Sequence, residues 1–314
     1  MVHHPWPAVT GRPARVETED GVVLHAEVHG PDDAEGSVVL LHGYQLSHRL
    51  WARQVHALRE ARPDLRVVAY DHRGHGRSAR GTAERATLGQ LARDLRTVLH
   101  ELAPGPAVLA GHSMGGMTVM SFAEQFPELV RERVAGVGLF ATSSAGLADN
   151  TFGLHPTAAR VAHAVVPRFN AWAHRRAELG RAKPPSPGTR WLLFGERPDP
   201  HDVRRTQEVL DGTHPATNHH FYATFGEHDR THALAHLADV PVVVAAGDRD
   251  RLTPFHHART IAAALPHARF VTYPGCGHMV QLERALDVSR RLVELADEAL
   301  PAATGPRTAA RRAG

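Results

Sequence analysis

The sequence predicts an α/β protein in which a mostly parallel central sheet is flanked by helices on both faces. Apolar segments of strand length alternate with helical segments up to residue 143, and the alternation resumes at residue 232. Residues 144–231, between these two parts, show no such alternation. A stretch of this length is too long for a loop, so we expect an inserted helical cap.

The first part of the predicted core begins with a hairpin arm over 22–28, which follows an Asp20-Gly21 turn. One helix carries leucines at helical spacing on one face, and two others stop where a proline follows. The remaining predicted strands cover 37–41, 66–70, 106–110 and 134–141, and the helices cover 51–62, 87–102 and 114–126.

After the break, the pattern predicts strands over 241–246 and 269–273, with helices over 254–265 and 279–300. The predicted core therefore comprises 1–143 and 232–300. Residues 301–314 are mainly Ala, Gly, Pro and Arg, a composition that predicts a disordered tail.

Composition argues against several classes of partner. Lys and Arg (36) nearly balance Asp and Glu (33), and no basic stripe is interleaved with aromatics, so we expect no nucleic-acid partner. Cys276 is the one cysteine, which excludes an intramolecular disulfide and fits a reducing compartment. Residues 1–7 do not resemble a Sec signal, and no stretch of about 18 apolar residues occurs. We therefore expect a cytoplasmic location and no membrane partner.

A nucleophile motif follows a predicted strand and opens a predicted helix. The segment Gly111-His112-Ser113-Met114-Gly115 matches G-x-S-x-G. The two glycines remove side chains that would collide across a tight strand-to-helix turn. The turn presents the Ser113 hydroxyl above a helix N-terminus, where the helix dipole favours negative charge. This context predicts a catalytic serine.

Three further blocks occur around this motif in a fixed order. They are Leu40-Leu41-His42-Gly43-Tyr44, then Asp71-His72-Arg73-Gly74-His75-Gly76-Arg77-Ser78, and finally Gly247-Asp248-Arg249-Asp250 followed by Gly277-His278. With them the chain resembles cap-bearing α/β hydrolases of the esterase/lipase and cofactor-free haloperoxidase-like group, over residues 16–143 and 235–299. The resemblance is specific for the fold and weak for the substrate.

The resemblance implies a catalytic triad of Ser113, His278 and Asp250. A serine hydroxyl is a poor nucleophile at neutral pH, so it needs a base, and the base needs an orienting acid. Asp248 and Asp250 both follow the strand that ends at 246. The family pattern Gly-x-x-Asp selects Asp250, which leaves Asp248 as a residue that caps its own turn.

Acyl transfer also needs donors for the oxyanion, and the resemblance implies the backbone N–H groups of Tyr44 and Met114. The Tyr44 side chain is expected to shape the pocket, with direct donation by its hydroxyl left open. Leu46 is a further pocket candidate. Among the cap aromatics, candidates for an apolar lining are Trp172, Trp191, Phe221 and Phe225. The cap also carries Phe169, Phe194 and Tyr222, and its aromatics equally fit a small core of the cap itself.

Several clusters suggest metal binding or a second nucleophile, and we favour structural roles for them. The Asp71-His72-Arg73 turn with His75 is expected to be held by internal hydrogen bonds. Adjacent histidines, as in His219-His220 and His256-His257, poorly share one ligand face. His42 is expected to hold the oxyanion loop, and Cys276 to pack in a turn. We expect neither a metal nor a cofactor.

The sequence thus predicts a serine hydrolase that cleaves a carboxylic ester, lactone or thioester of a medium-sized apolar substrate through an acyl-enzyme on Ser113. Acyltransferase or perhydrolase activity with the same triad is an alternative, as is a non-catalytic ligand receptor of this fold. Epoxide hydrolases and haloalkane dehalogenases of the fold need aspartate at the elbow, and Ser113 argues against both. The natural substrate, the acyl acceptor and the oligomeric state are left open.

Overall fold

The computed structural model describes residues 11–180 and 188–300, so the predicted disordered tail lies outside the described residues. Within them, eight strands form one sheet in the order β1-β2-β4-β3-β5-β6-β7-β8. The strands are β1 (Arg12–Glu17), β2 (Val23–His29), β3 (Ser37–Leu41), β4 (Arg66–Tyr70), β5 (Ala107–His112), β6 (Val134–Phe140), β7 (Val242–Gly247) and β8 (Arg269–Tyr273).

The sheet is parallel from β4 through β8, while β1 and β2 form an antiparallel edge hairpin. The predicted α/β class is therefore confirmed. The first arm of the hairpin, β1, was not predicted, because only Val16 of its six residues is buried and the apolar alternation is weak. The carboxyl ends of the parallel strands meet at one edge, where open α/β sheets bind ligands.

The helices cover both faces of the sheet, each over its own apolar cluster. One cluster contains Leu95 and Phe122, and the other contains Leu58 and Leu292. The helices are α1 (Ala52–Ala61), α2 (Leu88–Leu102), α3 (Met114–Gln125), α4 (Pro127–Arg133), α5 (Pro156–Glu178), α6 (Thr189–Leu193), α7 (Pro200–Gly212), α8 (Pro215–Gly226), α9 (Phe255–Ala264), α10 (Val280–Glu283) and α11 (Ala285–Ala299).

The predicted C-terminal helix over 279–300 is divided in the structure. Arg284 adopts φ −131° and ψ 42°, outside the helical region, and separates α10 from α11. The apolar periodicity continues across the break, so the sequence pattern gave no signal for it. The break leaves Glu283 at the end of a short helix close to the loop that carries His278.

The insertion between β6 and β7 is helical and contains α5 to α8. A 3-10 turn, His232–Leu237, leads from the insertion back to β7. Its Ala233 and Leu234 are fully buried, and Leu234 and Leu237 belong to the core cluster around Leu95. No helix among residues 11–180 and 188–300 combines the length and apolar character needed to cross a membrane.

Candidate active site

Ser113 lies at the turn between β5 and α3 in a conformation that side chains rarely adopt. Its φ is 52° and its ψ is −118°. Hydrogen bonds fix this strained backbone: the Ser113 N–H donates to the Phe140 carbonyl (2.9 Å), and the Ser113 carbonyl accepts from the Thr142 hydroxyl (2.7 Å) and the Met117 N–H (3.1 Å). The turn is thus held by β6 and by the loop after it, as well as by its own helix.

The loop after β3 packs directly against this turn. A Cβ atom at Gly115 would overlap the carbonyl oxygen of Leu41, and one at Gly43 would lie 3.2 Å from the Ser113 Cβ. Gly115 therefore allows two backbones to approach closely, and Gly43 leaves room for the His112 ring and the Ser113 side chain. The approach places the loop containing Gly43 and Tyr44 beside the candidate nucleophile.

The backbone N–H groups of Tyr44 and Met114 donate to no acceptor within the described ranges. They are therefore available to an oxyanion beside Ser113. The Tyr44 hydroxyl, in contrast, donates to the Asn218 carbonyl in α8 at 2.6 Å. Burial raises the pKa of Tyr44 above its ordinary value, so the hydroxyl keeps its proton. Direct donation by this hydroxyl would require the bond to Asn218 to break.

His42 holds the same loop in place. Its Nδ1 donates to the Gly43 carbonyl (2.7 Å), and its Nε2 accepts from the His72 N–H (3.0 Å). Burial holds the pKa of His42 well below its ordinary value, so the ring stays neutral and can both donate and accept. The two bonds link the oxyanion loop to the turn after β4.

His278 and Asp250 form a buried hydrogen-bonded pair. The His278 Nδ1 lies 2.8 Å from the Asp250 Oδ2. The carboxylate also accepts from the Leu252 N–H (2.8 Å), the Thr253 N–H (2.9 Å) and the Thr253 hydroxyl (2.8 Å). An ionised carboxylate only accepts, so Nδ1 carries the proton and Nε2 is left to exchange one with another group.

Asp248 has a different environment, although it lies only two residues before Asp250. Its side chain is exposed, and its Oδ1 accepts from the Gly275 N–H at 2.7 Å. The bond ties the turn after β7 to the loop after β8. The structure thus places Asp250, and not Asp248, on the His278 ring.

His278 lies next to the nucleophile turn. The Nε2 of His112 donates to the His278 carbonyl (3.0 Å), and the two rings are 4.7 Å apart between centroids. The Ser113 hydroxyl has no hydrogen-bond partner within 11–180 and 188–300. Such bonds are often loose without substrate and tighten during the reaction.

Asp71, in the turn after β4, belongs to the one group of three potential metal-ligating side chains found in the described part of the chain, together with His25 on β2 and His48 after β3. Ligand atoms of His25, His48 and Asp71 lie within 4.8 Å of one another. The Asp71 Oδ1, however, already accepts from the His48 N–H (2.7 Å) and bonds the His48 Nδ1 (2.9 Å), and its Oδ2 accepts from the Arg77 N–H (2.8 Å). Internal hydrogen bonds account for this carboxylate without a metal. Arg73 in the same turn pairs with Asp94 at 2.6 Å.

Two of the four candidate aromatics of the insertion lie beside Tyr44 and Met114. Phe221 is buried and Phe225 half-buried in one cluster with Met114 and Tyr44, and the rings of Tyr44 and Phe225 are 5.0 Å apart. These contacts place helix α8 over the candidate site. The cluster also contains Met117 from the nucleophile helix.

The other pocket candidates lie elsewhere. Trp172 (45% exposed) contacts Phe169 and Arg176 on α5, and Trp191 (43% exposed) lies under the Arg251 guanidinium. Leu46 is buried in the core cluster around Trp51. None of these three belongs to the apolar cluster at Tyr44 and Met114. Composition does not distinguish an aromatic of the insertion that makes surface contacts from one that lines a pocket.

Sequence reasoning missed several residues that hold the site. Thr253 gave a usable signal, since a threonine three residues after an aspartate is positioned to close a side-chain turn. Thr142 and Asn218 gave none, because they act on or through backbone carbonyls of distant segments. Glu283 gave none either, because its carboxylate accepts from the backbone N–H groups of distant segments.

A family model described as the alpha/beta hydrolase fold matches residues 36–285 of the chain. The chain belongs to the α/β hydrolase fold family. It spans between 41% and 62% of the length of the first curated relatives that it matches.

Relatives in this family differ in their reactions. The chain is 29% identical over 257 residues to the dihydrolipoyllysine-residue acetyltransferase component of an acetoin cleaving system from Pseudomonas putida, covering 82% of this chain and 62% of that protein's length. It is 25% identical over 281 residues to a bifunctional esterase/perhydrolase from Acinetobacter calcoaceticus, covering 88% and 97%. A thermophilic esterase from Thermogutta terrifontis has the same fold, with a TM-score of 0.69 at 24% identity, and the alignment covers 92% of this chain and 99% of that one.

Proposed function

We propose that the protein is a serine hydrolase that cleaves a carboxylic ester, lactone or thioester through an acyl-enzyme on Ser113. The observation that carries the proposal is the Asp250–His278 pair, with 2.8 Å between its bonded atoms, beside a serine on a strained strand-to-helix turn. A serine, a base and an orienting acid in this relation can generate a nucleophile at neutral pH.

In the proposed reaction the Ser113 hydroxyl attacks the substrate carbonyl and the His278 Nε2 takes its proton. Asp250 accepts the Nδ1 proton in a hydrogen bond and stabilises the imidazolium that forms. The N–H groups of Tyr44 and Met114 donate to the tetrahedral oxyanion. His278 then protonates the leaving alcohol or thiol, and a water activated by the same nitrogen hydrolyses the acyl-enzyme.

The apolar cluster over the site favours an apolar acyl group of medium size. Phe221, Phe225 and the Tyr44 ring flank the oxyanion residue Met114, and α8 holds Tyr44 through the Asn218 carbonyl. Ligand sites are lined mainly by apolar side chains with few polar groups. The side chains of this cluster do not supply the several hydrogen-bond donors that a sugar or a nucleotide would need. The insertion would then act as a cap that selects the substrate.

An acceptor other than water is a second candidate. The relative named a bifunctional esterase/perhydrolase aligns along 88% of this chain, and the acceptor is chosen by the polarity and hydration of a pocket whose other residues are common to both reactions. Competition between water, an alcohol, a thiol and peroxide for the acyl group, followed by product analysis, decides between hydrolysis and transfer.

The test of the proposal is a Ser113→Ala variant assayed on p-nitrophenyl esters of increasing chain length, with lactones and thioesters alongside. We expect the variant to melt as the wild type does and to lose at least about 10³-fold in kcat on every substrate that the wild type turns over. Full turnover by the alanine variant would exclude the mechanism.

A further inference from the structure

The loop that carries His278 is bonded to a segment of the insertion. The N–H groups of His278 and Met279 both donate to the Leu193 carbonyl, at 2.9 and 3.1 Å. The Glu196 N–H donates to the Gly275 carbonyl at 2.9 Å. The backbone around His278 is therefore fixed by the last residue of α6 and by residues just after it, which lie 79 to 86 positions earlier in the chain.

One carboxylate joins these two segments. The Glu283 Oε1 accepts from the Gly277 N–H and its Oε2 accepts from the Gly195 N–H, both at 2.8 Å. A Cβ atom at Gly277 would come within 2.5 Å of the Phe194 carbonyl carbon, so the two backbones are in direct contact. Glu283 closes this contact from the side of α10.

The position of Glu283 is electrostatically costly, and the reaction described above does not use its carboxylate. Burial raises its pKa, and the nearby charge of Asp250 acts in the same direction. The two N–H groups and the Arg284 guanidinium act in the opposite direction and favour the ionised form. An ionised carboxylate supplies two acceptor oxygens at once, which no neutral side chain of similar size does.

We propose that Glu283 is a positioning residue that holds His278 in line with Ser113 through the Gly277 peptide, and that it couples this loop to the insertion through the Gly195 peptide. The inference rests on the proposed function only in taking His278 as the base. A shift of the insertion at Leu193–Glu196 would then move the base loop. Misplacement of a catalytic group by a fraction of an ångström is enough to slow proton transfer.

The first test is Glu283→Gln, which keeps the shape but presents an NH2 group to one of the two backbone N–H groups. We expect kcat to fall about 10–100-fold, as for other residues that orient a catalytic ligand, while KM stays near its wild-type value. Asp248→Asn is the matched control, because it alters a bond of the same kind to Gly275 in the same loop. We expect the control to change kcat by less than about 2-fold.

The second test separates positioning from stability. In a His278→Ala background, Glu283→Gln should cause no further loss of the residual rate, because the group that it positions is already gone. A loss of the same size in both backgrounds would show that Glu283 acts through the general integrity of the fold, and would overturn the proposal.

Fluorophosphonate labelling distinguishes this proposal from the proposed function. If the wild type does not label at all, the proposed function fails. If the wild type labels and Glu283→Gln labels at the same rate, the positioning role fails while the proposed function stands. Should Glu283→Gln not melt cooperatively, Glu283→Asp keeps the charge and shortens the reach, and an unchanged kcat in that variant overturns the proposal as well.

Discussion

The two aspartates after β7 show how hydrogen bonds, and not position, separate the roles of like residues. Both follow the same strand, so their spacing alone does not say which one faces the base. Asp250 accepts the Nδ1 proton of His278 and three further bonds from Leu252 and Thr253. Asp248 accepts from Gly275 at the surface. The family pattern selected Asp250, and Asp250 is the aspartate bonded to the His278 ring. Its catalytic role stays a prediction.

A pair of amide substitutions tests this assignment. Asp250→Asn should lower kcat by about 10⁴-fold, because an amide group facing Nδ1 favours the wrong tautomer of His278. Asp248→Asn should stay within about 2-fold of the wild type, as expected for a surface position. Steady-state kinetics on one p-nitrophenyl ester is the measurement, and a reversed ranking would make Asp248 the orienting acid.

Among the secondary-structure elements, α8 and the residues just before it join the insertion to the loop after β3 that contains Tyr44. The Tyr44 hydroxyl donates to the Asn218 carbonyl, and the Thr213 hydroxyl just before α8 donates to the Gln45 carbonyl at 2.9 Å. The Thr217 hydroxyl donates to Gly74 in the turn after β4 at 2.8 Å. Hydropathy predicted a helical insertion at this edge of the sheet. It did not identify the docking helix, because these bonds end on backbone carbonyls that any sequence provides.

Substitutions on α8 and α5 test whether the docked helix selects the substrate. Phe225→Ala should raise KM and shift the preferred acyl length, because the ring packs on Tyr44 beside the oxyanion donors. Trp172→Ala is the matched control, since it removes an exposed aromatic of the same insertion. Phe221→Ala is a less suitable probe, because Phe221 is fully buried and its loss costs about 3–5 kcal/mol.

The measurement is an acyl-length profile on p-nitrophenyl esters for variants that melt cooperatively. A profile unchanged in Phe225→Ala, or shifted equally in Trp172→Ala, would contradict a selective role for α8. In that case the aromatics of the insertion would serve only its own packing.

For the molecule as a whole, strand and helix order was predictable because buried parallel strands appear as short apolar runs between amphipathic helices. The strands predicted over 66–70 and 269–273 match β4 and β8 residue for residue. Two features were not predicted. Strand β1 is mostly exposed, so its apolar pattern is weak, and Arg284 interrupts the C-terminal helix although the apolar periodicity continues on both sides. The two hydrogen bonds that Glu283 accepts from Gly277 and Gly195 depend on that interruption, so the sequence pattern did not predict them either.

The whole molecule also contains histidines that are buried in the neutral form, and these make its stability depend on pH. Burial lowers the pKa of each from the ordinary value of 6.5. Besides His42, they include His29, His75, His228 and His257, with pKa values of about 4, and His72, with a pKa of about 3. Because the folded-state values are depressed, the stabilisation is fully present above pH 6.5 and is lost as the pH falls towards 4.

Each such histidine contributes up to about 1.4 kcal/mol per pH unit to the loss in that window. We therefore expect the free energy of unfolding, measured with urea at pH 7, 6 and 5, to fall steeply. His228→Gln should lessen the slope, because glutamine does not titrate and can still donate to the Ser143 carbonyl that His228 reaches at 2.8 Å. A flat profile in the wild type, or an equal slope in the variant, would contradict the neutral burial of His228.

Covalent trapping with an active-site reagent tests directly whether Ser113 is the nucleophile. The wild-type protein is treated with a fluorophosphonate, digested, and the labelled peptide is identified by mass spectrometry. We expect one phosphonyl group per chain, on Ser113, formed with loss of fluoride, and no label in Ser113→Ala. Labelling at another residue, or a folded wild-type protein that takes up no label, would exclude Ser113 as the nucleophile.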